Sequence, residues 1–344
     1  MPHYRFRKTL SLVRSIQVYL RIEAGAARGN TPDDIQRTQK KLKVARQEIR
    51  KQRRQLAQAE QQIDRLKMRT SLKEGTKRAG KGKDGPKGGS LPDFLIIGAE
   101  KGGTTFLYWA LCQHPCVEAA TEKELHFFDT PKWLKKGIGW YQAQFPAPMR
   151  KDGRKTITGE ASPYYLFHHL APYRASITVP NTKLIALLRN PVDRAYSAYR
   201  HRVRNGEEDL SFEEALEVEQ ERTSGELEKL LSDESYRSRA YAKYTYRLRG
   251  IYVEQLKRWH EHFDPDQLLV LRSEDLFTNP AGSLRRVQGF LDLPKHDIDI
   301  TASMKGRNKG QSQPMASSTR RRLEDFFEPH NRKLYDYLGV DFGW

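Results

Sequence analysis

The sequence predicts an α/β domain, a central parallel sheet flanked by helices in three layers, carried behind a basic helical arm. Three observations lead there. Short apolar runs recur along the second part of the chain, each followed by a helix start. Charge is divided sharply between the two parts. A seven-residue apolar repeat fills the middle of the arm.

The 344 residues hold 61 Lys+Arg and 43 Asp+Glu, a formal charge of +18. Residues 1–90 contain 24 of the bases and 8 of the acids, a balance of +16, which leaves +2 for the rest. A high whole-chain pI would suggest a nucleic-acid binder. Divided this way, it describes a basic arm on a nearly neutral body. No run of 18 apolar residues offers a membrane span. The first 20 residues, broken by Arg5, Arg7, Lys8 and Arg14, lack the apolar stretch of a secretory signal. Cys112 and Cys116 alone make no disulfide framework. A cytoplasmic enzyme is the expectation.

In chain order, residues 1–30 form a basic, weakly amphipathic tail with Arg7, Arg14, Arg21 and Arg28 at seven-residue spacing. It could touch a membrane surface or remain solvated. Over residues 31–72, Thr31-Pro32-Asp33-Asp34 supplies an N-cap, an N1 proline and acids facing the helix dipole. Ile35, Leu42, Ile49, Leu56 and Ile63 then repeat every seven residues, against a thinner seam of Thr38, Ala45, Gln52, Ala59 and Leu66. That pattern predicts a coiled coil and a self-associating chain. No aromatic side chains stand between its charges to stack bases, so nucleic acid is not the expected partner. Residues 73–90 are a Gly/Lys-rich linker, and the domain runs over 91–344.

Within it, Phe94–Ile97 reads as a buried strand, then a glycine-rich turn and a helix from Thr105. Lys183–Leu188 is a second strand, and Asn190-Pro191 caps a helix reaching about Arg204. Leu268–Leu271 is a third, with a helix after Asn279-Pro280. Strands alternating with helices imply a parallel sheet covered on both faces, with ligands at the carboxyl ends of its strands.

Two of those ends carry anion chemistry. Gly98-Ala99-Glu100-Lys101-Gly102-Gly103-Thr104-Thr105 joins the first strand to its helix. Glycines allow close backbone approach, the helix start offers free N–H groups, and Lys101 adds a charge. In nucleoside-triphosphatase loops the lysine follows the last glycine; here it precedes both. Arg189 ends the second strand, and Ser197 lies two turns into the next helix, where they suit a second phosphate. Cys112, His114 and Cys116 are interrupted by Pro115 and are read as structural, not as a metal site.

Taken together, residues 91–344 resemble sulfotransferases that use 3′-phosphoadenosine 5′-phosphosulfate (PAPS), most closely the heparan sulfate glucosaminyl sulfotransferases. The resemblance rests on five ordered segments: GAEKGGTTFLYWALCQHP; TEKELHFFD with GIGWYQAQFP; LIALLRNPVDRAYSAYRHR; KGRNKGQS followed by Pro314; and the closing RRRLEDFFEPHNRKLYDYLGVDFGW. It implies a P-loop-like fold, PAPS as co-substrate, no metal, and a glycan or glycolipid acceptor. It implies that Lys101 contacts the phosphosulfate, that Gly102, Gly103, Thr104 and Thr105 cradle the 5′-phosphate, and that Arg189 and Ser197 hold the 3′-phosphate. Lys309 and Gly310 would close a late loop on the cofactor. Glu124 would be the base, with His126 beside it, and Glu160 would lie near the acceptor.

The chain departs from that family's pattern in four places. Ala161 stands where a lysine usually follows the glutamate, Gln311 where a basic residue follows Lys-Gly, and Gln313 where an aromatic flanks the loop. A bracketing cysteine pair is missing. All four bear on the acceptor more than on the cofactor. Residues 207–234, with 12 acids and 2 bases, are read mainly as a solvated helical face that would repel a polyanion lining it. A neutral or weakly charged glycan is the easier acceptor, through a hydroxyl before an amine; the alternatives are a sulfotransferase acting on a lipid or other small alcohol and, from another class, a P-loop kinase or triphosphatase.

Overall fold

The computed structural model describes residues 89–151, 153–300 and 314–344. The basic tail, the heptad helix, nearly all of the linker and the late loop with Lys309 and Gly310 lie outside the described residues. Among the described residues the principal strands are β1 (Phe94–Gly98), β2 (Val117–Ala119), β5 (Ile157–Ala161), β6 (Lys183–Leu188) and β7 (Leu268–Arg272), and a small hairpin joins β3 (Arg150–Lys151) to β4 (Arg154–Lys155). The five form one sheet in the order β2-β5-β1-β6-β7, parallel at every pairing.

The helices, in chain order, are α1 (Thr104–Leu111), α2 (Pro131–Leu134), α3 (Gly137–Gln142), α4 (Ala171–Thr178), α5 (Pro191–Arg204), α6 (Phe212–Glu217), α7 (Glu219–Thr223), α8 (Glu226–Ser232), α9 (Arg239–Lys243), α10 (Tyr252–His260), α11 (Ser273–Thr278), α12 (Pro280–Phe290) and α13 (Ser317–Leu338). The three strands expected from their apolar runs are present, two of them one residue longer. The capping signals also act as expected: the Asn190 side chain accepts from Val192 N and Asp193 N, and that of Asn279 from Gly282 N.

Strand alternation divides the core into two layers. Leu95, Ile97, Leu184 and Ala186 face one cluster with Phe127, Phe128, Tyr141 and Trp259. Phe94, Ile96, Ile185 and Leu187 face another with Leu107, Tyr108, Leu284 and Val287. Helices therefore cover both faces. The connection leaving β1 runs to β2 on one side and the one leaving β6 runs to β7 on the other, so a crevice opens between the carboxyl ends of β1 and β6.

β5 carries no apolar run, and the sequence reading contains no strand there. It is nonetheless central, with Leu95 opposite Glu160. Gly159 permits the close pairing: a Cβ there would lie 2.4 Å from the Phe94 carbonyl and 2.6 Å from its ring.

The acidic stretch 207–234 is only partly the solvated face expected of it. Glu208, Glu219 and Glu226 are buried. Arg222 forks onto both oxygens of Glu208 at 2.7 and 3.2 Å. Glu219 takes the Arg247 and Leu248 backbone N–H groups, and Glu226 takes the Tyr236 hydroxyl at 2.6 Å. These carboxylates fasten α7 and α8 to the segments around them rather than presenting one repulsive surface.

Gly159→Ala should overpack the β1–β5 contact at a cost of about 1–3 kcal/mol. A thermal melt should show a lower Tm with two-state unfolding retained. An unchanged Tm would contradict the contact.

Candidate active site

A cavity of about 920 Å³ opens at the carboxyl ends of β1 and β6. Its wall brings together Lys101, Gly103, Thr104, Thr105, Glu124, Arg189 and Ser197, all singled out from sequence. The loop after β1 is strapped in place. Ala99 N donates to Leu187 O at 2.8 Å and Gly102 N to Ala99 O at 2.9 Å. The Ser273 hydroxyl donates to Gly102 O at 2.6 Å, and Arg189 Nη1 to Lys101 O at 3.2 Å.

The two glycines serve this packing. A Cβ on Gly102 would meet Leu187 O at 2.5 Å, and one on Gly103, whose φ is +98°, would meet the Phe277 ring at 2.8 Å. Gly102 itself does not line the cavity. With no side chain capping the start of α1, its first N–H groups and the threonine hydroxyls form a corner of donors suited to an anion.

Lys101 adopts a left-handed φ of 67°. Burial lowers its pKa against the pull of Glu100, and Arg204, Arg189 and Arg202 push the same way. Lys101 and Arg189 thus stand as neighbouring cations at this corner of the wall, where a phosphate would relieve their repulsion. His201, one turn beyond Ser197, also lines the cavity. Burial and the nearby Lys101 and Arg202 lower its pKa, and Arg204 Nη2 lies 2.8 Å from its Nδ1.

Glu124 faces the anion corner from the segment after β2. Both it and His126 hold positive φ, 65° and 54°, in non-glycine residues, a form of strain that collects at functional sites. His126 Nε2 lies 3.6 Å from Glu124 Oε2, and its Nδ1 lies 2.7 Å from Asp129 Oδ2. Lys123 pairs with Glu124 from the other side. Burial raises the Glu124 carboxyl, but the bonds from His126 and Lys123 outweigh it and hold the pKa at about 2. Burial lowers His126, but Asp129 and Glu124 outweigh that and raise it to about 10. His126 stands behind Glu124 and is not on the cavity wall.

Glu160, expected near the acceptor, lies behind the turn that carries Glu124. It is fully buried. Its Oε1 accepts from Tyr141 at 2.6 Å and Tyr165 at 3.0 Å, and its Oε2 from Ser162 at 2.7 Å and Leu125 N at 3.3 Å. Four donors occupy its four lone-pair positions. Ser162 and Tyr165 in turn accept from His126 N and Phe127 N. The carboxylate props the Glu124–Phe127 turn from beneath. Burial raises its pKa, with the three hydroxyls pulling the other way.

The sequence reading missed Glu100, Asp193, His201, Ser273, Glu274, Phe277 and Thr278 on the same wall. The last four occupy α11, directly after β7. The rule that ligands gather at strand ends could have found them once Leu268–Leu271 was read as a strand. Among the described residues no cluster of three His, Cys, Asp or Glu side chains is placed to hold a metal, and no helix is long and apolar enough to cross a membrane.

Residues 91–333 match the sulfotransferase domain model. The mouse (Mus musculus) heparan sulfate glucosamine 3-O-sulfotransferase 3B1 is 35% identical over 275 residues, covering 74% of this chain and 65% of that protein. The human (Homo sapiens) bifunctional heparan sulfate N-deacetylase/N-sulfotransferase 2 is 30% identical over 72% of this chain and 29% of its own length. The chain thus spans less than two thirds of either relative. A sulfotransferase from Alicyclobacillus acidocaldarius superposes with a TM-score of 0.59 at 29% identity, covering 74% of this chain and 98% of that one.

The folded protein holds the His126 proton more tightly than the unfolded chain does. That stabilisation is complete below the ordinary histidine value of 6.5 and is lost as pH rises through about 10. Asp129, lowered from 3.8 despite its burial because His126 bonds to it, loses its contribution as pH falls through its depressed value. The Tm deficit of His126→Gln should therefore be greatest between about pH 4 and 6.5 and shrink toward pH 10. A deficit constant from pH 6 to 10 would contradict the pairing.

Proposed function

This chain belongs to the sulfotransferase domain family, enzymes that use PAPS, and from that premise we propose that it sulfates a carbohydrate hydroxyl. One observation carries the reading: phosphate-binding groups from two strand ends and a carboxylate from a third segment face a single cavity. PAPS would supply the sulfuryl group and a phosphate leaving group. Lys101, Thr104, Thr105 and the start of α1 would hold its 5′ end, and Arg189 and Ser197 its 3′-phosphate. Gly102 and Gly103 shape that cradle, and the late loop with Lys309 and Gly310 would cover it, within a P-loop-like architecture.

The transfer replaces the acceptor O–H bond by an O–S bond. The proton goes to the base and the bridging S–O electron pair to the departing phosphate, leaving a sulfate ester, 3′-phosphoadenosine 5′-phosphate (PAP) and a protonated carboxyl. Lys101 would stabilise the charge growing on the departing oxygen. Glu124 would take the hydroxyl proton. With a pKa of about 2 it is ionised across the neutral range, at some loss of driving force for proton transfer. Positioning and electrostatics then carry the larger share of the rate. His126, protonated and anchored by Asp129, orients that carboxylate.

The relatives support a glycan as the acceptor class, since both are named for heparan sulfate. Ala161, fully buried at the end of β5, adds no charge of its own for a polyanion, so a weakly charged glycan or glycolipid is the acceptor we favour.

Lys101→Ala should weaken PAP binding about tenfold or more. Glu124→Gln should leave PAP binding within about threefold while cutting turnover by about 10²–10⁴. Calorimetry with PAP and transfer of labelled sulfate from PAPS to a glycan panel measure the two effects. Normal turnover by Glu124→Gln would remove Glu124 as the base.

A further inference from the structure

A carboxylate on the wall of an anion pocket is a misplaced charge unless it does something else. Glu100 lines the cavity, adjacent in sequence to Lys101. Its Oε1 accepts from Arg202 Nη2 at 2.7 Å, and its Oε2 pairs with Arg249 Nη1. Arg202, near the end of α5, also donates to Glu207 Oε2 at 3.0 Å, and Glu207 pairs with Lys243 of α9. Arg249, in the 3₁₀ turn Leu248–Gly250, is almost fully buried. It donates to Thr245 Oγ1 at 2.9 Å and Ala242 O at 2.5 Å and lies over the Tyr164 and Phe167 rings at 4.6 and 5.2 Å. Arg194, wholly buried, donates to Tyr246 O, while its Nε and Nη1 have no hydrogen-bond partner.

We propose that Glu100 is a positioning residue: by bridging Arg202 and Arg249 it fixes the Lys101 loop to residues 239–250 and lets several guanidiniums stay dry beneath the pocket. A buried guanidinium without a counter-charge is costly. Glu100 and Glu207 together answer Arg202, Arg249, Lys243 and the nearby Arg194, two carboxylates for four cations, which leaves surplus positive charge beneath the pocket. The carboxylate therefore strengthens anion binding although it carries the anion's own sign. The same bridge joins the cofactor loop to α9, so cofactor binding and the order of that segment are coupled. The anion-binding part of this inference rests on the sulfotransferase reading; the mechanical part does not.

The test uses the full chain and four variants. By calorimetry, Glu100→Gln should bind PAP about tenfold more weakly or worse, Glu100→Asp within about threefold, and Glu100→Gln/Arg249→Met no more weakly than Arg249→Met alone. A purely repulsive wall charge gives the opposite sign. Glu100→Gln binding PAP as tightly as the parent, or tighter, overturns the proposal, as does a lowered Tm with unchanged PAP affinity. Should Glu100→Gln fail to fold, Arg249→Lys, which keeps the charge and loses the fork, should weaken PAP by several-fold; unchanged affinity contradicts the bridge. If the parent itself does not bind PAP, the sulfotransferase reading fails, and the bridge is judged by hydrogen exchange without ligand. Glu100→Gln should then speed exchange over residues 99–105 and 239–250 together, and acceleration of one segment alone, or of neither, contradicts it.

Discussion

Positive charge must be concentrated where water is scarce, and most of the site follows from that requirement. Lys101, Arg189, Arg194, Arg202 and Arg249 gather around or beneath one cavity. They would repel one another without carboxylates set among them. Glu100 bridges two of the arginines. Across the cavity the signs are reversed: Glu124 is held ionised by Lys123 and by His126, which Asp129 anchors. Glu100 and Glu124 are each fixed by opposite charges, and two of the residues that bear the geometry, Lys101 and Glu124, lie in left-handed backbone.

The fold positions these groups through strand ends. β1 and β6 were legible because both faces of each are buried, so they read as unbroken apolar runs. The Asn-Pro caps after β6 and before α12 were legible because capping is local chemistry. β5 was hidden for the converse reason. Its Ile-Thr-Gly-Glu-Ala sequence looks like a polar loop, and only tertiary donors make a buried glutamate tolerable there. β2, three residues long, offers too little pattern to detect.

The same logic separates the parts of the site that sequence reached from those it missed. The seven residues found together on the cavity wall belong to short motifs with local chemistry: a glycine loop, a strand-end arginine, a helix serine, a carboxylate beside aromatics. The burial of Glu160 was not legible because its environment is made by Tyr141, Tyr165, Ser162 and the Leu125 backbone, which are up to 35 residues away. Glu100 was passed over within the very motif that was read, since its partners stand 102 and 149 residues further on. The acidic stretch 207–234 was read as a solvated face because Arg247, which closes on Glu219, lies beyond its end.

The central claim is that this cavity is built for a nucleotide carrying phosphates at both its 3′ and 5′ positions. Isothermal titration of the full chain with PAP and, separately, with ATP tests it most directly. The account predicts saturable one-to-one binding of PAP, stronger than that of ATP, and much weakened by removing either Lys101 or Arg189. Equal or tighter binding of ATP, or PAP affinity indifferent to both substitutions, would contradict it.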